Sequence, residues 1–94
     1  MIKNKKFFKS NVKNKKYRVE FMYQGKLRKV NFGQLGYEHF KDSTPLKLYK
    51  HLDHGDKERR KRYKARASGI KNKQGELTYK NPLYANYWAY KYLW

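Results

Sequence analysis

The segment 17–32 constrains the fold most, because large apolar residues alternate in it with polar ones at a period of two. The apolar positions of its first half are Tyr17, Val19, Phe21 and Tyr23. The dipeptide Gln24-Gly25 follows them and is a plausible two-residue turn. The segment is therefore predicted to be an antiparallel β-hairpin.

A two-residue turn at this position also predicts which residues lie opposite each other. The expected pairs are Tyr23 with Lys26, Phe21 with Arg28, Val19 with Val30 and Tyr17 with Phe32. On the other face Glu20 lies opposite Lys29, which is a favourable cross-strand charge pair. One face collects the large apolar side chains of Tyr17, Val19, Phe21, Val30 and Phe32. A lone hairpin is only marginally stable, so something else must cover this face.

The high positive charge limits the core that can form around this hairpin. The 94 residues include 25 Lys and Arg but only 7 Asp and Glu, so the net charge is +18. Self-repulsion at this charge opposes a compact state, and only 38% of the residues are hydrophobic. Aromatic residues nevertheless make up 18% of the chain. We therefore expect one small domain with an aromatic core, a cationic surface and a partner that completes it.

Most of the positive charge lies in two blocks. Residues 1–16 contain seven lysines and no acidic residue, and they predict an extended arm that serves as an interaction tail. Residues 56–73 contain nine basic and two acidic residues, and the arginine fork matches phosphate and carboxylate geometry. The predicted polyanion-binding residues are Lys3, Lys5, Lys6, Lys9, Lys13, Lys15, Lys16, Arg59, Arg60, Arg62, Lys64 and Arg66. The alternative for both blocks is a solvated charged surface.

Two or three short helices are predicted after the hairpin. The first would span 45–52, with Ser43 or Thr44 as its N-cap and a proline at its first position. The last would span 83–94 and begin after Asn81-Pro82, with a strand as the alternative because aromatic residues also favour strands.

The second basic block contains the remaining predicted helix, at about 56–67. Asp53 or Asp56 can cap its first turn, and Gly69 marks its end. Its only large apolar residue is Tyr63. A helix that is polar all round is not held in place by an apolar face of its own. Because its cations lie on every side, some of them can face an anion whatever the rotation of the helix about its axis.

Aromatic residues are concentrated towards the two ends of the chain. The residues predicted to pack at an interface are Phe7, Phe8, Tyr84, Tyr87, Trp88 and Trp94. Aromatic side chains dominate both protein cores and interfaces, so the C-terminal group is expected to dock, with the hairpin face as a candidate surface. The alternative is that these rings stack on exposed nucleic-acid bases.

No combination of residues indicates catalysis. There is no cysteine, the acidic residues are scattered, and no nucleophile–base arrangement or phosphate-binding glycine loop is recognisable. The histidines are His39, His51 and His54, and the last two are three residues apart. A catalytic metal usually needs three protein ligands, and the net charge opposes cation binding. We expect no enzyme activity, no metal or other cofactor, and no small-molecule substrate.

Three stretches together carry a resemblance to a known family. They are FGQLGY at 32–37, HGDKERRKRYKAR at 54–66 and the aromatic end at 84–94. They resemble a small uncharacterised family of basic proteins encoded by large double-stranded DNA viruses of eukaryotes. The resemblance covers about residues 17–94. Two departures are Ala67, where the family tends to have a histidine, and a longer spacer at 42–52. The resemblance implies a virus-encoded protein of the virion.

The expected fold is α+β, with an N-terminal basic arm at 1–16 and a small domain at 17–94 made of a β-hairpin and two or three short helices. The expected function is a small basic structural protein of the virion, a minor capsid or cementing component. Its partners would be other virion proteins, with DNA or an anionic membrane surface as further candidates. The alternatives are a non-specific DNA-binding protein that condenses the genome and a ribosomal-type RNA-binding protein.

Overall fold

A computed structural model describes residues 2–94, and it shows an α+β fold, as predicted. Three strands form one antiparallel sheet in the order β1-β2-β3: β1 (Ile2–Lys9), β2 (Lys15–Tyr23) and β3 (Lys26–Gln34). Two α-helices follow, α1 (Lys57–Ala67) and α2 (Ala85–Tyr92). Single turns of 3-10 helix lie at Lys50–Leu52 and Thr78–Lys80.

The hairpin of β2 and β3 is confirmed in every predicted pair, including Glu20 opposite Lys29. Gln24 and Gly25 form its turn, with φ of +54° and +76°. Positive φ at both central residues is typical of the turns whose twist matches that of a hairpin. The five apolar side chains predicted to share one face are all buried. Turn chemistry and alternation were therefore enough to predict the register of this hairpin.

The N-terminal block differs from the prediction of a separate arm. Residues 2–9 are extended, but they pair with β2 as the edge strand β1. Phe7 lies opposite Val19 and packs on the core, where its ring contacts those of Phe32 and Trp88. The lysines of β1 stay in solvent, which is typical of edge strands. The strand can therefore pair without burying its charge.

The helix predicted over 45–52 is not formed, apart from the single turn at Lys50–Leu52. The carboxylate of Asp42, which is fully buried, instead accepts the backbone N–H groups of Thr44 and Tyr49. The hydroxyl of Tyr17 also donates to this carboxylate. Lys47 has a φ of +50°, which is incompatible with a right-handed helix. Hydrogen bonds to one buried carboxylate thus replace those of a helix in this segment.

Helix α2 covers the apolar face of the hairpin, which confirms a helix at the aromatic C-terminus. Trp88 is fully buried, and its ring centroid lies 5.0 Å from that of Phe21 and 6.4 Å from that of Phe32. Its indole N–H donates to the main-chain oxygen of Pro82 at 2.7 Å. Leu93, just after the helix, is also buried. The aromatic core that the composition predicts therefore lies between the sheet and α2.

Asp56, one of the two predicted caps, is the N-cap of α1, since its carboxylate accepts the backbone N–H groups of Glu58 and Arg59. The only residue of α1 that is buried is Ala67. The ring of Tyr63 stacks on that of Trp94, with centroids 4.2 Å apart and planes 9° apart. Stacking of these two rings thus helps to hold α1, which has no apolar stripe of its own. Neither α-helix of residues 2–94 is long and apolar enough to cross a membrane.

Candidate polyanion-binding cleft

A cleft of about 530 Å³ opens between α1, α2 and the end of the hairpin. One wall is the face of α1 that carries Arg59, Arg62 and Arg66, which lie three or four residues apart and therefore share a side of the helix. Ala85 and Ala89 of α2 also line the cleft. The opposite wall is the sheet end with Lys15, Lys16 and Gln34 and the following loop with Tyr37, Glu38 and His39.

The three arginines of this wall are not equally free. The Nη1 of Arg59 lies 2.9 Å from a carboxylate oxygen of Glu38 across the cleft. That hydrogen bond and the guanidinium charge hold the pKa of Glu38 below its usual range. Arg62 and Arg66 have no carboxylate partner among residues 2–94. Both can therefore take an external anion without breaking an ion pair.

Two other predicted cations of α1 serve to dock the helix instead. The Nε of Arg60 donates to the main-chain oxygen of Trp94 at 2.8 Å, and its guanidinium lies 4.7 Å from the ring centre of Phe40. The ammonium of Lys64 lies 4.7 Å from the ring centre of Tyr90, and burial lowers its pKa. Cation–π contacts of this kind attach a charged helix to an aromatic surface. The side chains of Arg60 and Lys64 are therefore committed within the protein.

Lys16, also predicted to bind a polyanion, lies in the interior. Its Nζ donates to the main-chain oxygen of Tyr37 at 2.7 Å and to the Nδ1 of His39 at 2.9 Å. Burial lowers the pKa of Lys16 to about 8, although the charges of Asp42 and Asp53 oppose this shift. The head group therefore ties the loop at 37–39 to β2 and is not an outward-facing cation.

His39 continues this chain of hydrogen bonds. Because the Lys16 ammonium has only donors, Nδ1 of His39 accepts, and Nε2–H donates to Asp53 Oδ1 at 2.6 Å. Burial first, and the Lys16 charge second, lower the pKa of His39. The ring is therefore neutral at pH 7. Lys16, His39 and Asp53 fasten the loop that forms one wall of the cleft.

All but one of the remaining predicted lysines form a second cationic region away from the cleft. Lys3, Lys6, Lys9 and Lys13 are exposed in β1 and in the turn after it. Lys5 is also exposed, and its Nζ lies 3.1 Å from the hydroxyl of Tyr92. Lys15 alone of this group, half-buried, lines the cleft together with the arginines. Apart from Lys16, Arg60 and Lys64, the predicted cations are thus divided between the β1 side of the sheet and the cleft.

The aromatic residues predicted to pack at an interface largely pack within this chain. The rings of Phe7 and Tyr87 each contact that of Trp88 in the core. Phe8 lies under the guanidinium of Arg18, 4.9 Å from it. Tyr84 is 36% exposed, and its hydroxyl accepts from the side-chain amide of Asn72 at 3.2 Å. Trp94 pairs with Tyr63, as described above.

Residues 2–94 contain no group of three or more His, Cys, Asp or Glu side chains that could hold a metal ion. His54 accepts the backbone N–H of Asp56 at its Nδ1, and its ring packs against Trp94, with centroids 5.1 Å apart. His51 is exposed and tilts against Tyr49. These two histidines therefore have local contacts at the entry to α1.

Sequence reasoning missed Tyr37 and Asn86 as residues of the cleft. Tyr37 is 66% exposed, which is high for a large aromatic side chain. Its position at the end of the glycine-punctuated stretch FGQLGY indicated a loop, but not that this loop faces α1. Asn86 carries no distinguishing sequence signal.

A family model places the chain among known proteins. The model named "Family of unknown function (DUF5754)" matches residues 5–67. The chain belongs to this family. The matched residues of the DUF5754 chain run from Lys5 in β1 through the hairpin and the cleft-forming loop to the last residue of α1, and they leave out α2. None of the curated proteins and none of the solved structures compared with the chain gave a significant match.

Proposed function

We propose that this protein is a non-enzymatic nucleic-acid-binding protein of the virion and that its cleft arginines contact the phosphates. The virion is the setting that the resemblance to basic proteins of large DNA viruses implies. The +18 charge supplies the sequence-independent attraction for a polyanion. Phosphate contacts of this kind position a protein on nucleic acid and carry no sequence information.

The observation that carries the proposal is that the cleft brings several cations close together. Arg62 and Arg66 line a concave site without a carboxylate partner among residues 2–94, and Lys15 lines the same site. The like charges repel each other, so an anion between them would relieve the repulsion. Arginine forks bind phosphate oxygens in a bidentate way, which makes phosphate a fitting ligand.

The salt dependence of binding tests this proposal. Replacing Arg62→Gln and Arg66→Gln together should flatten the dependence of log K on log salt by about one unit for each phosphate that the variant no longer neutralises. The matched control is Lys57→Gln with Lys61→Gln, which removes the same charge from exposed positions of α1 outside the cleft. Equal slopes for the two double variants would show that the cleft is not the phosphate site.

A second candidate function is a minor capsid or cementing protein, and exposed apolar side chains on the sheet favour it. Leu27 is 58% exposed and lies opposite Met22, which in turn lies opposite Lys3. The next row on the same face of the sheet is Lys6, Glu20 and Lys29. An apolar patch bordered by lysines fits an acidic partner protein.

Cross-linking mass spectrometry on intact particles separates the two candidates. The cementing function predicts links from Lys3, Lys6 and Lys29 to shell proteins at stoichiometric copy number. Recovery of the protein only with the released genome, after disruption of the shell, would contradict it and favour the nucleic-acid function.

A further inference from the structure

We propose that the cleft holds an unpaired nucleotide of a single-stranded nucleic acid, with the base against Tyr37 and the phosphates on Arg62 and Arg66. This inference rests on the proposed nucleic-acid function and deepens it. It names the form of nucleic acid that the concave site accepts, whereas the charge of the protein surface attracts single and double strands alike.

The size of the cleft is the first observation behind this proposal. Its volume of about 530 Å³ lies within the range of roughly 300–1,000 Å³ that small-molecule sites occupy. The bases of a duplex are stacked and paired, so the duplex offers its phosphates but no base to such a site. Entry of a paired base requires that it be flipped out, at the cost of its stacking and pairing. An unpaired strand enters without that cost.

The second observation is the aromatic ring on the wall opposite the arginines. Tyr37 is 66% exposed and stacks on no other aromatic ring in the described part of the chain. Its main-chain oxygen is fixed by the Nζ of Lys16 at 2.7 Å, so the residue is tethered while its ring is free. Exposed aromatic rings beside a cationic groove are the feature by which single-strand binders stack bases.

The third observation is that the other aromatic rings of the cleft are already engaged. Tyr63 and Trp94 stack on each other, and Trp94 also contacts His54. They stiffen the α1 wall and leave Tyr37 as the ring that can receive a base. Ala85 and Ala89, whose side chains are short, also line the cleft.

The test compares strands that differ only in their bases. Fluorescence anisotropy is measured with labelled oligothymidylate, with a strand of the same length built from abasic units, and with a duplex of that length. The full-length protein is expected to bind oligothymidylate more tightly than the abasic strand at the same salt concentration. Tyr37→Ala should weaken oligothymidylate binding by about fivefold or more and leave abasic and duplex binding almost unchanged.

Controls distinguish loss of stacking from loss of fold. Tyr37→Phe keeps the ring and should retain the preference for oligothymidylate, while thermal unfolding should show the same midpoint for both Tyr37 variants. If the wild-type protein binds the abasic strand as tightly as oligothymidylate, the single-strand inference is overturned and the phosphate-binding function still stands. If none of the three nucleic acids binds, both proposals fail.

Discussion

The two α-helices adjoin one another but are held in the protein in opposite ways. Helix α2 carries one lysine among its eight residues, and its Trp88 is fully buried against the sheet. Helix α1 carries seven cations among eleven residues and buries only Ala67. Stacking on Trp94 and two cation–π contacts hold it instead. The stability of this fold therefore depends on α2, whereas α1 presents the arginines of the cleft.

This difference separates two properties that often conflict in a small basic protein. Cations packed together on a core-forming helix would be desolvated, at a high cost in free energy. By resting on the edge of an aromatic core, α1 keeps Arg62 and Arg66 in solvent at the cleft. Substitutions in α2 should therefore change stability, and substitutions on the cleft side of α1 should change binding.

The largest expected effect is that of Trp88→Ala. Truncating a buried tryptophan costs about 3–5 kcal/mol, which is a large share of the roughly 5–15 kcal/mol by which domains are stable. The free energy of unfolding is measured by urea titration. The control, Tyr84→Ala, removes a ring that is 36% exposed and should cost far less. A small loss for Trp88→Ala would contradict the assignment of the core to α2.

The pH dependence of stability should be the next largest effect. It tests the burial of Lys16, which fixes the cleft wall that faces α1. The folded pKa of Lys16 is about 8, below its ordinary value of 10.5, so between these values the unfolded chain binds more protons. The free energy of unfolding should therefore rise from pH 8 to 10, by at most about 1.4 kcal/mol per pH unit from this group.

The same region also contains an opposing group. Burial raises the pKa of Tyr17 to about 12, so above its ordinary value near 10 ionisation in the unfolded chain reduces stability. Urea titrations between pH 8 and 10 avoid that range. Lys16→Met should remove most of the rise, and Lys15→Met, at the half-buried neighbour, should keep it. If the free energy of unfolding rose equally in both variants, the rise would come from general charge repulsion and not from Lys16.

A smaller effect is expected for Trp94→Ala, which removes the surface on which α1 rests. An aromatic pair contributes about 0.5–1.5 kcal/mol beyond the area that it buries, so a loss of about 1–2 kcal/mol is expected. Hydrogen exchange should accelerate at the amides of α1 and remain slow in α2. Equal acceleration in both helices would show that they form one cooperative unit.

The smallest effect should follow Asp56→Ala, which removes the cap of α1. Without this carboxylate, the backbone N–H groups of Glu58 and Arg59 lose the acceptor that caps the helix. The hydrogen bonds from the backbone N–H groups of Arg59 and Glu58 hold the pKa of Asp56 below its usual value, so its contribution should also fall as the carboxylate is protonated in acid. Circular dichroism should show reduced helicity. Glu58→Gln keeps the cap and should have a smaller effect.

Features set by neighbouring residues could be predicted from the sequence. The hairpin register depends on alternation and on a two-residue turn, and the start of α1 depends on Asp56 and the residues just after it. The helix expected at 45–52 was wrong because Asp42 is buried and hydrogen-bonded by Tyr17, a residue of a different element. Pairing of β1 was not predicted, because repulsion among its lysines favoured an unpaired arm. In the structure these lysines stay in solvent, so the strand pairs without burying them.

The sequence by itself determined the hairpin, the helix cap, the aromatic end that docks on the hairpin and the excess of positive charge. Only the tertiary structure decided which cations face outward. Lys16 meets His39, which is 23 residues away, and Arg60 meets Trp94, which is 34 residues away. Whether an ammonium or a guanidinium is desolvated depends on such distant neighbours, because burial follows from packing between elements. Tertiary packing thus left Arg62 and Arg66 in a cleft, and it buried Lys16, whose ammonium donates a hydrogen bond to the loop at Tyr37.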